Sequence, residues 1–243
     1  MTVSASSPYS SNPLAVGALA KTLLIAGTDT EVGKTVVTAA LAAYWQTYRK
    51  SERLGLMKLI QSGVGDREYY QQHFSLDQSP ELYNPLHFEA PLAPPLAADL
   101  AGKTIDLGLV WRSLSELIRG RDRVLIEGLG GLGSPVTHEL TLADLAAQWR
   151  LPTLLVVPVK LGAIAQTVAN VALARQTQVL LQGIVLTCHS QDAAANQERW
   201  APQAMIESLT QIPVCGVVPP VANLTDMASL CRAVQDIDLS LIT

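Results

Sequence analysis

The chain of 243 residues has the length of one α/β domain, and its hydrophobic content of 49% is enough to bury a continuous core. Lys and Arg number 17 against 21 Asp and Glu, which gives a formal charge of −4, and no segment concentrates the basic residues. This composition argues against a protein that binds nucleic acid, because such proteins present a basic face to the phosphate backbone. An anionic ligand must therefore be held by a local site.

The cysteines and the N-terminal segment indicate the cellular compartment. Cys188, Cys215 and Cys231 are odd in number and far apart, which is typical of reduced thiols in a cytoplasmic protein. Residues 1–20 lack the basic start and apolar run of a secretory signal, and we expect them to form a flexible tail. No apolar run is long enough to cross a bilayer, so no membrane partner is expected.

Short apolar runs alternate with longer helical patterns along the chain. Strands are predicted at residues 22–26, 54–58, 124–127, 153–159, 183–187 and 213–218, and helices at 34–48, 107–119, 142–149, 163–180 and 203–210. Strands without polar alternation, separated by helices, indicate an α/β fold in three layers, with a mainly parallel central sheet covered by helices on both faces. Residues 21–243 are predicted to form one domain. Residues 79–102, rich in Pro and Ala, are predicted to be a long loop beside the site.

A phosphate-binding loop is predicted directly after the first strand. The segment GTDTEVGKT, residues 27–35, is followed by a helical pattern. Gly33 would let the backbone approach a phosphate, Lys34 would neutralise its charge, and the Thr35 hydroxyl could ligate Mg²⁺. The alternative is a glycine turn followed by an ordinary helix-capping threonine. The order of strand, GKT and helix favours a P-loop NTPase-like domain.

An acidic residue at the end of a later strand also supports nucleotide binding. Glu127 ends an apolar run and is followed by glycines at 128, 130 and 131. A carboxylate at this place can hold Mg²⁺, whereas the alternative is a strand terminus in solvent. Ligands of parallel sheets bind at the carboxyl ends of the strands, so Glu127 and the phosphate loop are expected to share one edge.

Several motifs in order resemble the dethiobiotin synthetase family. GTDTEVGKT resembles its phosphate-loop signature, KLIQSG its KPVxSG, and LYNPLHFEAPLAPPLAA its NPYxFxxPxSPHxAA segment. IEGLGG resembles EGAGG, and VVPVKLGAIAQT resembles VVGVKLGCINH. The resemblance extends from about residue 21 to residue 221, over nearly the whole of the predicted domain.

The resemblance implies an ATP-dependent ligase of biotin synthesis. Its reaction converts 7,8-diaminononanoate, CO₂ and ATP with Mg²⁺ to dethiobiotin, ADP and phosphate, through a carbamate and a carbamic-phosphoric anhydride. It also implies a homodimer. Because a carbamate and a triphosphate repel each other, lysines and Mg²⁺ are expected to offset their charge.

The resemblance also implies individual roles. Lys34 and Lys58 are the expected catalytic residues, with Lys58 contacting the carbamate. Thr35, Asp66 and Glu127 are the expected Mg²⁺ ligands, although Asp66 could instead be a helix N-cap. The expected substrate-binding residues are Ser62, Gly130, Leu161 and Gly162, the last two from the partner subunit. The expected nucleotide-binding residues are Thr30, Glu31, Val32, Gly33, Lys34, Thr35, Val36, Asp66, Glu127, Gly128, Leu129, Gly130, Thr187, Cys188, Pro219, Pro220 and Val221.

Three departures from the family pattern concern the nucleoside and the second strand. Thr187 and Cys188 replace an Asn-Asp pair that contacts adenine, which leaves nucleotide selectivity open. Leu59 replaces a proline, so the loop after Lys58 could be less rigid. Ala165 replaces an asparagine that could contact substrate. The four histidines show no shared ligand spacing, so no zinc site is expected.

Two other classes of P-loop protein are alternatives. A regulatory ATPase of the partitioning type usually carries a signature lysine early in the loop, but that position is Asp29 here. An amidoligase of the cobyrinic-acid or CTP-synthase type would be accompanied by a glutaminase domain, for which the sequence gives no sign. The motifs favour the ligase of biotin synthesis over both.

Overall fold

A computed structural model of the chain describes residues 17–242. Most of the predicted flexible tail, residues 1–16, lies outside the described residues. Residues Ala18–Lys21 form a 3-10 helix that leads into the first strand. Within the described part of the chain, no helix is both long and apolar enough to cross a membrane.

Two parallel sheets contain all the strands of the described residues. The strands are β1 (Thr22–Gly27), β2 (Leu54–Lys58), β3 (Ile60–Ser62), β4 (Leu86–Phe88), β5 (Arg123–Gly131), β6 (Thr153–Pro158), β7 (Leu181–Thr187) and β8 (Val214–Val218). Six of them form the central sheet in the order β2-β5-β1-β6-β7-β8, and β3 pairs with β4. Every one of these ladders is parallel.

The α-helices connect the strands and cover the sheet. They are α1 (Lys34–Tyr48), α2 (Asp66–His73), α3 (Pro80–Tyr83), α4 (Pro94–Leu100), α5 (Leu107–Gly120), α6 (Leu142–Gln148), α7 (Ala163–Thr177), α8 (Gln191–Ala195), α9 (Gln197–Trp200), α10 (Gln203–Thr210) and α11 (Met227–Ala233). A 3-10 helix, Leu239–Leu241, follows the last of them.

Alternate residues of each central strand point into two separate hydrophobic cores. In β1, Leu23 and Ile25 pack with α1, α2, α3 and α11, whereas Leu24 and Ala26 pack with α4 to α7 and α10. All six residues of β1 are buried because helices cover both faces. This double burial explains why the strand sequences are mainly apolar. The predicted fold class is confirmed.

The prediction that residues 79–102 form a long loop is wrong. This segment contains α3, β4 and α4, and two of its prolines begin short helices at Pro80 and Pro94. Proline fits the first turn of a helix, where its missing N–H has no partner to lose. The abundance of proline therefore marked helix starts in a segment that we interpreted as irregular.

Candidate active site

The phosphate loop lies between β1 and α1, as predicted. Gly33 precedes α1 with a left-handed φ of 92°, and an added Cβ would lie 3.3 Å from the Thr187 side chain. Glycine is suited to this position because it accepts a positive φ without steric cost. As N-cap, Gly33 has no side chain to accept a hydrogen bond from the first turn, so N–H groups at the start of α1 remain available for an anion.

Lys34 folds back over the loop that precedes it. Its Nζ donates to the Asp29 carbonyl oxygen at 2.9 Å, and the residue is only 6% exposed. Burial, together with the positive charge of Lys58, lowers the pKa of Lys34 to about 8. A bound polyphosphate would favour the charged form, because it supplies the negative charge that this buried ammonium lacks.

Lys58 connects the two carboxylates predicted to bind metal. At the end of β2, its Nζ lies 2.5 Å from Asp66 Oδ2 and 2.8 Å from Glu127 Oε1, and it donates to the Gly128 carbonyl at 3.1 Å. β2 and β5 pair so that Lys58 is opposite Glu127. Lys58 is 6% exposed and Glu127 is 1% exposed, so interpreting Glu127 as a strand terminus in solvent is wrong.

The charges of this cluster shift one another's pKa values. Burial acts to lower the pKa of Lys58, but the charges of Glu127 and Asp66 outweigh it and raise that pKa. Burial acts to raise the pKa of Asp66, but the ammonium of Lys58 outweighs it and lowers that pKa. Burial raises the pKa of Glu127 despite the opposing charge of Lys58, and the charge of Asp66 adds to the increase. Lys58 and Asp66 therefore form a charged pair beside a more deeply buried carboxylate.

Three oxygen atoms converge at the start of α1. Thr35 Oγ1 lies 3.0 Å from Asp66 Oδ1 and 3.0 Å from Glu127 Oε1. A hydroxyl has one proton and can donate to only one of these oxygens at a time. The N-cap of α2 is Gly65, whose N–H donates to Glu68, and Asp66 is the first residue of the helix. The interpretation of Asp66 as an N-cap is therefore wrong. Two carboxylates and one hydroxyl are suitable ligands for a hard divalent cation.

These groups face a cavity of about 690 Å³. Its volume is typical of small-molecule sites. It is lined by the phosphate loop, the start of α1 and residues 91–94 of the Pro-rich segment. Within the described residues, Ser62 Oγ is a buried atom of the cavity wall that has no hydrogen-bond partner. An unpaired buried hydroxyl is available to a ligand.

The chain is similar to known enzymes over most of its length. A family model described as an AAA domain matches residues 21–228. The ATP-dependent dethiobiotin synthetase BioD of Gloeothece citriformis is 57% identical over 89% of this chain and 96% of the relative. Its namesake from Synechocystis is 60% identical over 82% of this chain and 84% of the relative. This chain belongs to the dethiobiotin synthetase family.

Solved structures of more distant proteins share the fold. A ParA family ATPase of Chlorobium tepidum has a TM-score of 0.56 at 11% identity, covering 91% of this chain and 96% of that chain. The MinC:MinD cell division complex of Aquifex aeolicus has a TM-score of 0.55 at 14% identity, covering 91% of this chain and 95% of that chain. At such low identity the likeness shows the P-loop fold alone.

Most residues implied by the resemblance to dethiobiotin synthetases lie in the cavity wall. Those that line it are Thr30, Glu31, Gly33, Lys34, Thr35, Val36, Lys58, Ser62, Asp66, Glu127, Leu129 and Gly130. Val32 instead packs in the core, and Gly128 contributes its carbonyl to Lys58. The structure thus brings together the predicted catalytic and metal-binding residues of a dethiobiotin synthetase.

The residues expected at the adenine do not line this cavity. The Thr187 hydroxyl donates to the Val32 carbonyl at 2.7 Å and thereby supports the phosphate loop. Cys188 is buried in the core, and residues 219–221 lie outside the cavity wall. Leu161 is 77% exposed beside Gly162, the N-cap of α7. The nucleotide- and substrate-binding roles of these residues stay predictions.

Tyr70 and His189 are among the residues at the site that the sequence analysis missed. Tyr70 is fully buried and its hydroxyl donates to Glu127 Oε2. Its sequence signal was available, since Tyr70 follows Asp66 by four positions and such residues share one face of a helix. His189 lines the cavity two residues after Thr187. As an isolated histidine after a strand, it gave no pattern that indicated a site.

Proposed function

We propose that this protein catalyses the ATP-dependent carboxylation and ring closure of 7,8-diaminononanoate with CO₂, which yields dethiobiotin, ADP and phosphate. The observation that carries the proposal is 57% identity to a protein named ATP-dependent dethiobiotin synthetase, over 96% of that relative's length. The cavity with Lys34, Thr35 and Lys58 supports it, because phosphoryl transfer between two anions needs positioned cations.

The proposed reaction has three steps, as the family resemblance implies. One substrate amine adds to CO₂ and loses a proton to give a carbamate. A carbamate oxygen then attacks the γ-phosphorus of ATP, which forms a carbamic-phosphoric anhydride and releases ADP. The second amine attacks the carbamate carbon, expels phosphate and loses a proton, which closes the ureido ring.

The residues of the cavity have complementary tasks in this scheme. Lys34 and the N–H groups at the start of α1 would bind the β- and γ-phosphates. Lys58 would offset the charge that gathers between carbamate and phosphate in the transition state. The unpaired hydroxyl of Ser62 would donate a hydrogen bond to the substrate. These tasks are mainly positioning and charge stabilisation.

Mg²⁺ is the proposed metal of this site. Thr35, Asp66 and Glu127 would hold it, since their oxygen atoms already converge within 3.0 Å of the Thr35 hydroxyl. When bound, Mg²⁺ would neutralise phosphate charge during the transfer. A few protein oxygens suffice, because Mg²⁺ usually keeps several waters and takes phosphate oxygens as its remaining ligands.

We further infer that the enzyme is a homodimer that works in the cytoplasm. In the proposed dimer, backbone N–H groups of Leu161 and Gly162 receive the carboxylate of a substrate bound to the other subunit. Their position at the N-terminus of α7 supports this, because a helix N-terminus favours a negative charge.

The proposal is tested by an assay for the product. Purified protein is incubated with diaminononanoate, bicarbonate and MgATP, and dethiobiotin is measured by mass spectrometry, with CTP and GTP as alternative nucleotides. We expect dethiobiotin with the wild type and none with Lys34→Ala, which leaves phosphate charge uncompensated. A regulatory ATPase would instead hydrolyse ATP without the diamine and respond to DNA, lipid or a partner protein.

A further inference from the structure

We propose that Tyr70 is a positioning residue that fixes the orientation of the Glu127 carboxylate toward Lys58 and the metal position. The inference rests on the proposed function, since it assigns Glu127 to the metal site. The observation behind it is a buried hydrogen bond between the Tyr70 hydroxyl and Glu127 Oε2, the carboxylate oxygen that contacts neither Lys58 nor Thr35.

The two oxygens of Glu127 have separate partners. Oε1 lies 2.8 Å from Lys58 Nζ and 3.0 Å from Thr35 Oγ1, whereas Oε2 accepts from Tyr70. A carboxylate can rotate about its last carbon–carbon bond, which exchanges or tilts its oxygens. The Tyr70 hydroxyl opposes this rotation, because a buried carboxylate oxygen loses its donor if the group turns. Oε1 therefore stays directed at the Lys58 ammonium and the Thr35 hydroxyl.

The ring of Tyr70 is itself held in place. Tyr70 is 0% exposed, and its ring centroid lies 5.5 Å from that of Tyr69 and 6.2 Å from that of Phe74. Such packing restricts the ring to one position and keeps the hydroxyl under Glu127. Removing the hydroxyl alone would leave this packing intact, so Tyr70→Phe isolates the hydrogen bond.

Helix α2 couples the two carboxylates of the site. Asp66 begins α2, and Tyr70 lies one helical turn later on the same helix. One face of α2 therefore carries Asp66, a proposed metal ligand, and also Tyr70, which orients the Glu127 carboxylate. Groups that orient metal ligands change metal affinity or activity by about 10–100-fold when they are removed.

The test compares Tyr70→Phe with Tyr83→Phe, a matched control elsewhere in the core. Tyr83 is 4% exposed, and its hydroxyl donates to the Phe74 carbonyl at 2.8 Å. ATP affinity is titrated calorimetrically with saturating Mg²⁺ and again with excess chelator. We expect Tyr70→Phe to weaken only the Mg²⁺-dependent part of the affinity, by about 10–100-fold, and Tyr83→Phe to leave it unchanged.

A second measurement separates positioning from stability. In a double-mutant cycle on a Glu127→Gln background, Tyr70→Phe should cause no further loss of Mg²⁺-dependent affinity, because its effect passes through that carboxylate. The inference is overturned if Tyr70→Phe lowers only the unfolding midpoint, as is expected of Tyr83→Phe. It is also overturned if the affinity losses of Tyr70→Phe and Glu127→Gln simply add. Since nucleotide binding needs no diamine, this result is independent of whether dethiobiotin is formed.

Discussion

At the residue scale, the site depends on one ammonium group, that of Lys58, which contacts two carboxylates. Lys58 lies within 2.8 Å of Glu127 and 2.5 Å of Asp66, and the side chain of Glu127 is almost fully buried. Removing one partner from a buried ionic cluster leaves uncompensated charge, which typically costs about 3–5 kcal/mol. Lys58 therefore has a structural role in addition to its proposed role in phosphoryl transfer.

We expect Lys58→Met to reduce kcat by about 10²–10³-fold, because the neutral side chain cannot stabilise charge that develops in the transition state. ATP affinity should stay within about threefold, since the phosphates are proposed to bind to Lys34 and the start of α1. Turnover of the diamine and calorimetric ATP binding are measured on the same preparation, with exposed Lys103→Met as control. Parallel losses in affinity and kcat would instead make Lys58 a ground-state binding residue.

At the element scale, the segment after β2 is held to β5 more firmly than its sequence indicated. Leu59 occupies the position of the family's proline, which led us to expect a less rigid loop. The Leu59 N–H, which a proline would lack, donates to the Glu127 carbonyl at 3.2 Å, and the leucine side chain is fully buried. The substitution therefore adds a backbone hydrogen bond between this segment and β5 at Glu127.

Leu59→Ala and Leu59→Pro separate the contribution of the buried leucine side chain from that of the backbone hydrogen bond to β5. The alanine variant should lose about 2–5 kcal/mol of unfolding free energy through the lost apolar volume. The proline variant should lose roughly 1 kcal/mol more, because it also removes the hydrogen bond to β5. Urea denaturation of both variants measures the difference. Equal stabilities would mean that the N–H of Leu59 contributes nothing to holding the segment.

The sequence predicted those elements whose signals are local. The six central strands are mainly apolar, and α10 was predicted with its observed bounds, Gln203–Thr210. Helices such as α2, whose residues are mainly polar, and α4, which begins with proline, carried no apolar periodicity. Lys34 and Thr35 were identified because the phosphate loop is contiguous. Tyr70 was missed because its contact with Glu127 spans 57 residues and depends on how α2 packs.

At the scale of the whole molecule, the sheet order explains how distant residues form one site. β5 lies between β1 and β2, so the phosphate loop after β1, Lys58 at the end of β2 and Glu127 in β5 meet at one edge. Leu161 and Gly162 follow β6 on the other side of β1, and neither lines the cavity. This separation is compatible with the proposal that they serve the site of a partner subunit.

A complementation experiment distinguishes a shared site from one built within a single chain. Leu161→Glu places a negative charge at a 77% exposed position, where it should repel the substrate carboxylate and raise the KM for the diamine at least tenfold, with Leu161→Gln as the neutral control. Lys34→Ala removes turnover from its own phosphate loop. In a heterodimer, the Leu161→Glu chain contributes Lys34 and the Lys34→Ala chain contributes Leu161 to the same site. That site is intact, and the other site of the dimer carries both substitutions. Random mixing of equal amounts should therefore restore about one quarter of wild-type turnover at low diamine concentration. If both residues served the same chain, no intact site could form in any mixture, and turnover would not exceed the average of the separate variants.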